Sequence, residues 1–237
     1  ISKGFDIKQS NIHYTNFTID KESATIATNF GYVFYVDIQE KRLIWTAKIP
    51  NIIPLKPVIF GDEVFVFNGS GSVITWSKTT GEIIFAGSNI DDQTGINFES
   101  VKGLEPEVIP SANLIVSYYR GDLLFFDTRT KARFTVSLIE SIMNFGYITS
   151  NPIISHGGIF ASTTNNITAV SYFSGAKIWT INGSFNKIFD VGDFVFSLVG
   201  NKSLVSIYKQ TGKIKFNIDV NTEDIFLAPT MDGKFLR

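Results

Sequence analysis

The sequence predicts an all-β chain folded as a β-propeller of four-stranded antiparallel blades. Three observations carry that expectation. One plan of strands and turns recurs about every forty residues along the 237-residue chain. The apolar runs are short, rich in Phe, Ile, Val and Thr, and bounded by Gly, Asn and Asp. Nothing sustains a 3.6-residue period, and Thr135–Asn144 is the one stretch that suits a helical turn.

Five segments follow the plan: Ala24–Trp45, Pro57–Phe85, Glu107–Phe134, Pro152–Trp179 and Lys187–Phe216. Each holds an apolar strand, an inner turn, a second apolar strand, an outer turn, and a short strand ending in an aromatic. The inner turns fall at Gly31, Gly71, Gly121, Asn165-Asn166 and Gly200-Asn201. Gly and Asn reach positive φ cheaply. The outer turns fall at Lys41, Gly81, Lys131, Gly175 and Gly212, at spacings of about 40, 50, 44 and 37 residues. The closing aromatics are Trp45, Phe85, Phe134, Trp179 and Phe216; four lie four residues past the outer turn and Phe134 lies three past.

A further turn precedes each main strand, at Asp20-Lys21-Glu22, Gly61-Asp62, Ser111-Ala112, Gly157-Gly158 and Gly192-Asp193. That makes four strands per unit, A to D. Runs such as Leu123-Leu124-Phe125-Phe126 are apolar throughout, which suits strands covered on both faces by stacked blades. Radial repetition of such sheets protects their edges. A β-sandwich explains short strands but not the fixed order of turns. The expected organisation is one propeller domain over 1–237, with blades near 12–45, 55–85, 106–134, 151–179 and 185–216 and part of a sixth over 225–237. Asp232-Gly233 repeats the A–B turn, so a sixth unit is begun without its C and D strands; Phe5–Ile7 could donate one closing strand to a small wheel, or the span is a fragment of a longer propeller.

Composition narrows the chemistry. With 44% hydrophobic and 18% charged residues the chain can bury a core, and a net charge of −1 gives no broad footprint for nucleic acid. The absence of cysteine excludes disulfides, thiolate metal sites and cysteine nucleophiles. No run of apolar residues is long enough for a membrane-spanning helix.

No catalytic, cofactor or metal site is expected. The two histidines, His13 and His156, stand in no cluster with metal-ligand spacing. Asp91-Asp92 lacks the regular oxygen ligands of a calcium loop. No Gly-x-Ser-x-Gly elbow frames a serine, and no P-loop or dinucleotide fingerprint occurs. Arg120, Arg129, Lys131 and Arg133 read as a solvated edge, and the sequons at Asn16, Asn68, Asn166, Asn182 and Asn201 as chance. The two long connections, Ala86–Pro106 and Thr135–Asn151, exceed what blades need, and their apolar residues suit a partner surface and capping of the core equally.

The outer turns read Thr-Gly-Glu-Ile-Ile-Phe, Ser-Gly-Ala-Lys-Ile-Trp and Thr-Gly-Lys-Ile-Lys-Phe. This resembles the Asp-x-x-Thr-Gly-x-x-x-Trp signature of pyrroloquinoline-quinone-type propeller repeats. Lys41 and Lys131 depart from its glycine, while Asp37 and Asp127 keep its acidic residue. Quinoprotein dehydrogenases and non-enzymatic scaffolds share the repeat. The dehydrogenases use a vicinal cysteine pair, a calcium site and a complete eight-bladed wheel, and this chain has no cysteine. Over Ser150–Phe216, the elements Ser-Asn-Pro-Ile-Ile, Asn-Ile-Thr-Ala-Val, Ser-Gly-Ala-Lys-Ile-Trp and Gly183-Ser-Phe-Asn look like consecutive blades of the propeller lipoprotein family of the outer-membrane β-barrel assembly machinery.

That resemblance implies a non-catalytic scaffold on the periplasmic face of the bacterial outer membrane. It implies docking on a periplasmic domain of the central barrel-assembly subunit, contact with unfolded outer-membrane proteins, and no nucleic acid. The membrane would be reached only through an anchor outside this chain. The family's propeller has eight blades, so the resemblance implies that this span is a fragment of an eight-bladed wheel that holds its middle blades. The family docks through a Leu-x-Leu-Arg-Gly segment, matched here by Glu99-Ser-Val-Lys-Gly103: Val101, Lys102 and Gly103 match in kind and Glu99 does not. It also uses an Asp-x-Asp pair, whose places hold Tyr147 and Thr149, so aromatic and hydroxyl contacts would replace the ion pairs. The implied roles are Val101 as apolar anchor, Lys102 as charged contact, and Gly103, Tyr147 and Thr149 as neighbours.

Overall fold

The computed structural model describes residues 15–49, 55–68, 71–87, 105–119, 122–138, 148–200, 202–219, 231–232 and 235–236. Five four-stranded antiparallel sheets run in sequence order, followed by a short hairpin. Blade 1 comprises β1 (Thr15–Asp20), β2 (Ser23–Thr28), β3 (Tyr32–Asp37) and β4 (Arg42–Lys48). Blade 2 comprises β5 (Val58–Phe60), β6 (Glu63–Phe67), β7 (Val73–Ser77) and β8 (Ile83–Gly87). Blade 3 comprises β9 (Glu107–Ile109), β10 (Leu114–Tyr119), β11 (Asp122–Asp127) and β12 (Arg133–Val136). Blade 4 comprises β13 (Ile153–Ser155), β14 (Gly158–Ser162), β15 (Asn166–Ser171) and β16 (Lys177–Asn182). Blade 5 comprises β17 (Phe185–Val191), β18 (Phe194–Val199), β19 (Ser203–Tyr208) and β20 (Ile214–Asp219). The hairpin pairs β21 (Met231–Asp232) with β22 (Phe235–Leu236). The fold is an all-β propeller of consecutive four-stranded meanders.

Among the described residues there is no α-helix. The one helical turn is a 3₁₀ turn at Pro110–Ala112, where the sequence places an A–B turn. Thr135 and Val136, expected in a helical turn, close β12 instead, and residues 139–144 lie outside the described residues.

The outer turns share one geometry. Lys41, Gly81, Lys131, Gly175 and Gly212 all have φ between 51° and 71°. The amides of Gly81, Lys131, Gly175 and Gly212 donate to Ser77, Asp127, Ser171 and Tyr208, the residues that close the third strand. A tight turn ending in a left-handed residue is a hairpin connection that favours glycine. The acidic residue caps it: Asp127 Oδ1 accepts from the amides of Arg129 at 2.8 Å and Thr130 at 2.9 Å, and Asp37 Oδ1 from Glu40 at 2.9 Å. These amides, Thr130's foremost, hold the Asp127 carboxyl below the usual range.

The closing aromatics stand inside their strands, two or more residues before the end, and a bulge puts them there. Tyr35 pairs with Trp45 but Val36 pairs with Leu43, so Ile44 is the extra residue. The same shift occurs at Thr75/Trp76, Ala169/Val170 and Ser206/Ile207. A bulge displaces one residue and turns the next side chain to the other face. That is why the aromatic lies four residues past the turn.

The chain clusters into two compact units, Ile1–Arg120 with Leu124–Phe134, and Gly121–Leu123 with Thr135–Arg237. In the first, Ala27, Val33, Tyr35 and Trp45 of blade 1 pack on Val64, Val66 and Trp76 of blade 2. Blade 2 turns its alternate residues the other way, and Phe65, Phe67 and Phe85 meet Phe126 of blade 3 at 5.6–5.9 Å between ring centres. In the second unit, Phe160, Ile167 and Ala169 of blade 4 pack on Ile188, Val195, Val205 and Ile207 of blade 5. Strands covered on both faces account for the uninterrupted apolar runs.

A directional contact adds to each packed pair. The indole nitrogen of Trp45 donates to the Lys78 carbonyl at 3.0 Å, and that of Trp179 to the Lys209 carbonyl at 2.8 Å. Each indole lies against the outer-turn glycine of the next blade. A Cβ on Gly81 would sit 2.6 Å from Trp45 Cγ, and one on Gly212 2.8 Å from Trp179. The Thr-Gly and Trp of the repeat are thus two halves of one inter-blade contact.

Candidate partner-binding surface

Val101, Lys102, Gly103 and Tyr147 lie outside the described residues; Thr149 is within them. Both long connections are bounded by described structure; Ala86–Pro106 lies in the first compact unit and Thr135–Asn151 in the second.

In the first unit, β9 begins just after the connection. Lys56 Nζ donates to Glu105 Oε2 at 2.7 Å, and the Tyr118 hydroxyl donates to the Glu105 carbonyl at 2.8 Å. Glu107, two residues on, is half-buried. Burial first, and then the Glu105 charge, push its carboxyl above the ordinary range, with Lys56 opposing. Burial and the same two carboxylates push the Tyr118 hydroxyl well up, so it stays a donor. Sequence reasoning passed over this group. Its signal is the Glu-x-Glu spacing at 105 and 107, which places two carboxylates on one side of an extended segment.

In the second unit, Ile148 forms an isolated bridge with Thr163 and the Thr149 amide donates to the Ser162 carbonyl at 2.9 Å. Thr149 Oγ1 lies 2.6 Å from Ser162 Oγ and donates to the Asn186 carbonyl at 2.7 Å. Ser162 Oγ reaches the same carbonyl at 2.9 Å. A register irregularity between Phe185 and Ile188 takes that part of β17 out of the regular ladder. Thr149 therefore ties the end of its connection to blades 4 and 5 through its hydroxyl.

Of the four basic residues expected on a solvated edge, Arg129 is exposed, Arg120 lies outside the described residues, and Lys131 and Arg133 are partly enclosed instead. Lys131 Nζ lies 2.6 and 2.7 Å from the two Glu63 oxygens, and Arg133 Nη1 donates to the Gly71 and Gly87 carbonyls at 3.3 Å. Both side chains reach blade 2 from blade 3. Lys209, 2% exposed, is likewise held by Asp190 Oδ1 and the Gly192 carbonyl at 2.6 Å and by Ser155 Oγ at 3.1 Å. Spacing alone cannot show that a lysine's ammonium is claimed by the neighbouring sheet. Two sequon residues, Asn68 and Asn166, are buried, and Asn166 Nδ2 donates to the Leu138 carbonyl at 2.8 Å.

Among the described residues, no group of three or more His, Asp or Glu side chains is placed to hold a metal ion. Ser155 Oγ lies 2.6 Å from His156 Nδ1, and His156 Nε2 lies 3.9 Å from Asp193 Oδ1, beyond hydrogen-bond range. A polar cavity of about 370 Å³ opens between blades 1 and 2, bordered by Asp20, Glu22, Asp37, Lys21 and Lys78, so its charges nearly cancel.

Repeating four-stranded sheets, joined by an indole over a glycine, define a β-propeller of the pyrroloquinoline-quinone-like repeat class. The family model described as outer membrane protein assembly factor BamB matches residues 13–217, and the chain belongs to that family. The crystal structure of BamB from Moraxella catarrhalis superposes with a TM-score of 0.70 at 17% identity, over 92% of this chain and 68% of that one. Quinohemoprotein alcohol dehydrogenase from Comamonas testosteroni superposes with a TM-score of 0.58 at 11% identity, over 86% of this chain and 42% of that one. At such identities these likenesses show the fold alone. An uncharacterized protein of Rickettsia prowazekii (strain Madrid E) is 21% identical over 187 residues, 74% of this chain and 44% of that protein. The chain thus spans less than half the length of this relative.

Proposed function

We propose that the chain acts as a non-catalytic scaffold that assists assembly of outer-membrane β-barrel proteins from the periplasmic side. In this reading it docks on a periplasmic domain of the central barrel-assembly subunit. The observation that supports it is the family match over 13–217, which takes in all five blades. The contact residues are Val101, as the apolar anchor, with Lys102 and Gly103 on one connection and Tyr147 on the other. Thr149 contributes by fixing its segment, because its hydroxyl is engaged by Ser162 and Asn186. Each loop springs from sheets of its own unit, and a loop held by rigid sheets suits a small hot spot of apolar and charged contacts. A pull-down with the purified barrel-assembly subunit tests the reading. Wild-type chain retains the subunit and the Val101→Asp/Lys102→Glu variant loses it; equal retention removes this surface from the account.

The likeness to a quinohemoprotein dehydrogenase gives a second reading, a quinoprotein-type enzyme. Adding pyrroloquinoline quinone with calcium separates the two. The scaffold reading expects no bound-quinone absorbance and no dye reduction.

A further inference from the structure

All five outer turns share one bond at the residue that follows the third strand: the amides of Ile38, Lys78, Thr128, Tyr172 and Lys209 donate to the carbonyls of Glu22, Asp62, Asn113, Gly157 and Asp193 in their own A–B turns. The carbonyls of Lys78, Thr128 and Lys209 each accept from a side chain. In blades 2 and 5 the donor is the preceding blade's tryptophan, Trp45 or Trp179, and the turn residue is Gly81 or Gly212. In blade 3 the preceding blade carries Phe85 at the tryptophan place, opposite Thr75 as Trp45 is opposite Tyr35. The phenylalanine side chain has no N–H. At the turn, Lys131 stands where glycine stands in blades 2, 4 and 5, with a left-handed φ of 62°.

Lys131 Nζ donates to the Thr128 carbonyl at 2.7 Å, the carbonyl that an indole serves in the other two junctions. The same ammonium reaches both Glu63 oxygens of the preceding blade and lies 5.4 Å above the Phe65 ring. Both side chains are enclosed, 18% exposed for Lys131 and 21% for Glu63.

We infer that Lys131 is the residue that replaces the missing indole between blades 2 and 3, so that Phe with Lys stands there in place of the Trp with Gly of blades 1 and 2 and of blades 4 and 5. A Cβ at the turn excludes the indole, as the 2.6 and 2.8 Å approaches at Gly81 and Gly212 show. Glycine in place of Lys131 would leave the Thr128 carbonyl without that donor. The exchange is not a rule for every blade, since Phe134 of blade 3 precedes Gly175 of blade 4. The ammonium's bond also accounts for a lysine at position 131 in a backbone conformation that favours glycine.

Exchanging one pair for the other in the full chain tests the inference. Phe85→Trp alone and Lys131→Gly alone each lower the Tm, and Phe85→Trp/Lys131→Gly together melts above both single variants. In the double variant the introduced indole N–H is protected from hydrogen exchange. Lys131→Met, which keeps the stem and removes the ammonium, lowers the Tm by roughly 5 °C. A double variant that melts at or below the lower single variant overturns the inference. So does an unchanged Tm for Lys131→Met, a readout that stands if Phe85→Trp fails to fold. No readout involves a partner, so the result stands apart from the docking reading.

Discussion

The junction between blades 4 and 5 and the junction between blades 2 and 3 perform one task with different chemistry. In the first, Trp179 gives a neutral indole N–H to the Lys209 carbonyl and covers Gly212. In the second, Lys131 gives a charged donor to the Thr128 carbonyl and to Glu63, while Phe126 meets Phe65, Phe67 and Phe85. What is constant is the carbonyl after the third strand, which takes a side-chain donor in both. Between these two junctions the donor and the turn residue differ together.

Removing the indole breaks the first junction most severely. Trp179→Ala loses both the packing on blade 5 and the donor to Lys209, an expected cost of about 3–5 kcal/mol in chemical denaturation. Next is the glycine beneath it. Gly212→Ala brings a Cβ to 2.8 Å from the indole at φ 70°, whereas Gly192→Ala at φ 57° meets nothing within 4 Å. The second substitution should cost about 1 kcal/mol, the price of left-handed backbone alone, and the first clearly more. Equal costs would mean that the indole contact does not select glycine.

A smaller effect is expected where blades 4 and 5 are joined by hydroxyls. Thr149→Val keeps the shape but removes the donor to Asn186, and should cost about 1–2 kcal/mol by urea denaturation. The smallest concerns charge beside blade 3. Burial and Glu105 hold the Glu107 carboxyl above its ordinary range, so the folded chain takes up its proton more readily than the unfolded one. Stability from this group therefore rises as pH falls from neutral toward about 4. Glu107→Gln should melt higher than wild type at pH 7, with the gain vanishing near pH 4. Asp127 has the opposite sign. Its contribution is present above about pH 4 and fades on further acidification, as its amide-bound carboxylate is protonated.

The turns and strands were legible because Gly, Asn and the closing aromatics each answer to a local need: positive φ, a side-chain cap, or a filled space. The positive φ of Lys41 and Lys131 marks the same turn that glycine marks elsewhere. The bulge before Trp45 was hidden, because it depends on pairing with Tyr35 and Val36 across the sheet. Lys131 and Arg133 read as solvated because a sequence does not show which sheet stands opposite. Of the candidate surface, Thr149 is named by the resemblance alone, and its bonds to Ser162 and Asn186 depend on residues far along the chain. The carboxylates at Glu105 and Glu107 matter through burial beside Lys56, which spacing does not show.

A calorimetric titration of the barrel-assembly subunit's periplasmic domain into the chain tests the proposed docking most directly, run at two salt concentrations with wild type, Lys102→Glu and Val101→Asp/Lys102→Glu. The account predicts saturable binding by wild type, a weaker salt dependence with Lys102→Glu, and at least about a tenfold loss for the double variant. Binding of all three with one affinity and one salt dependence would contradict it.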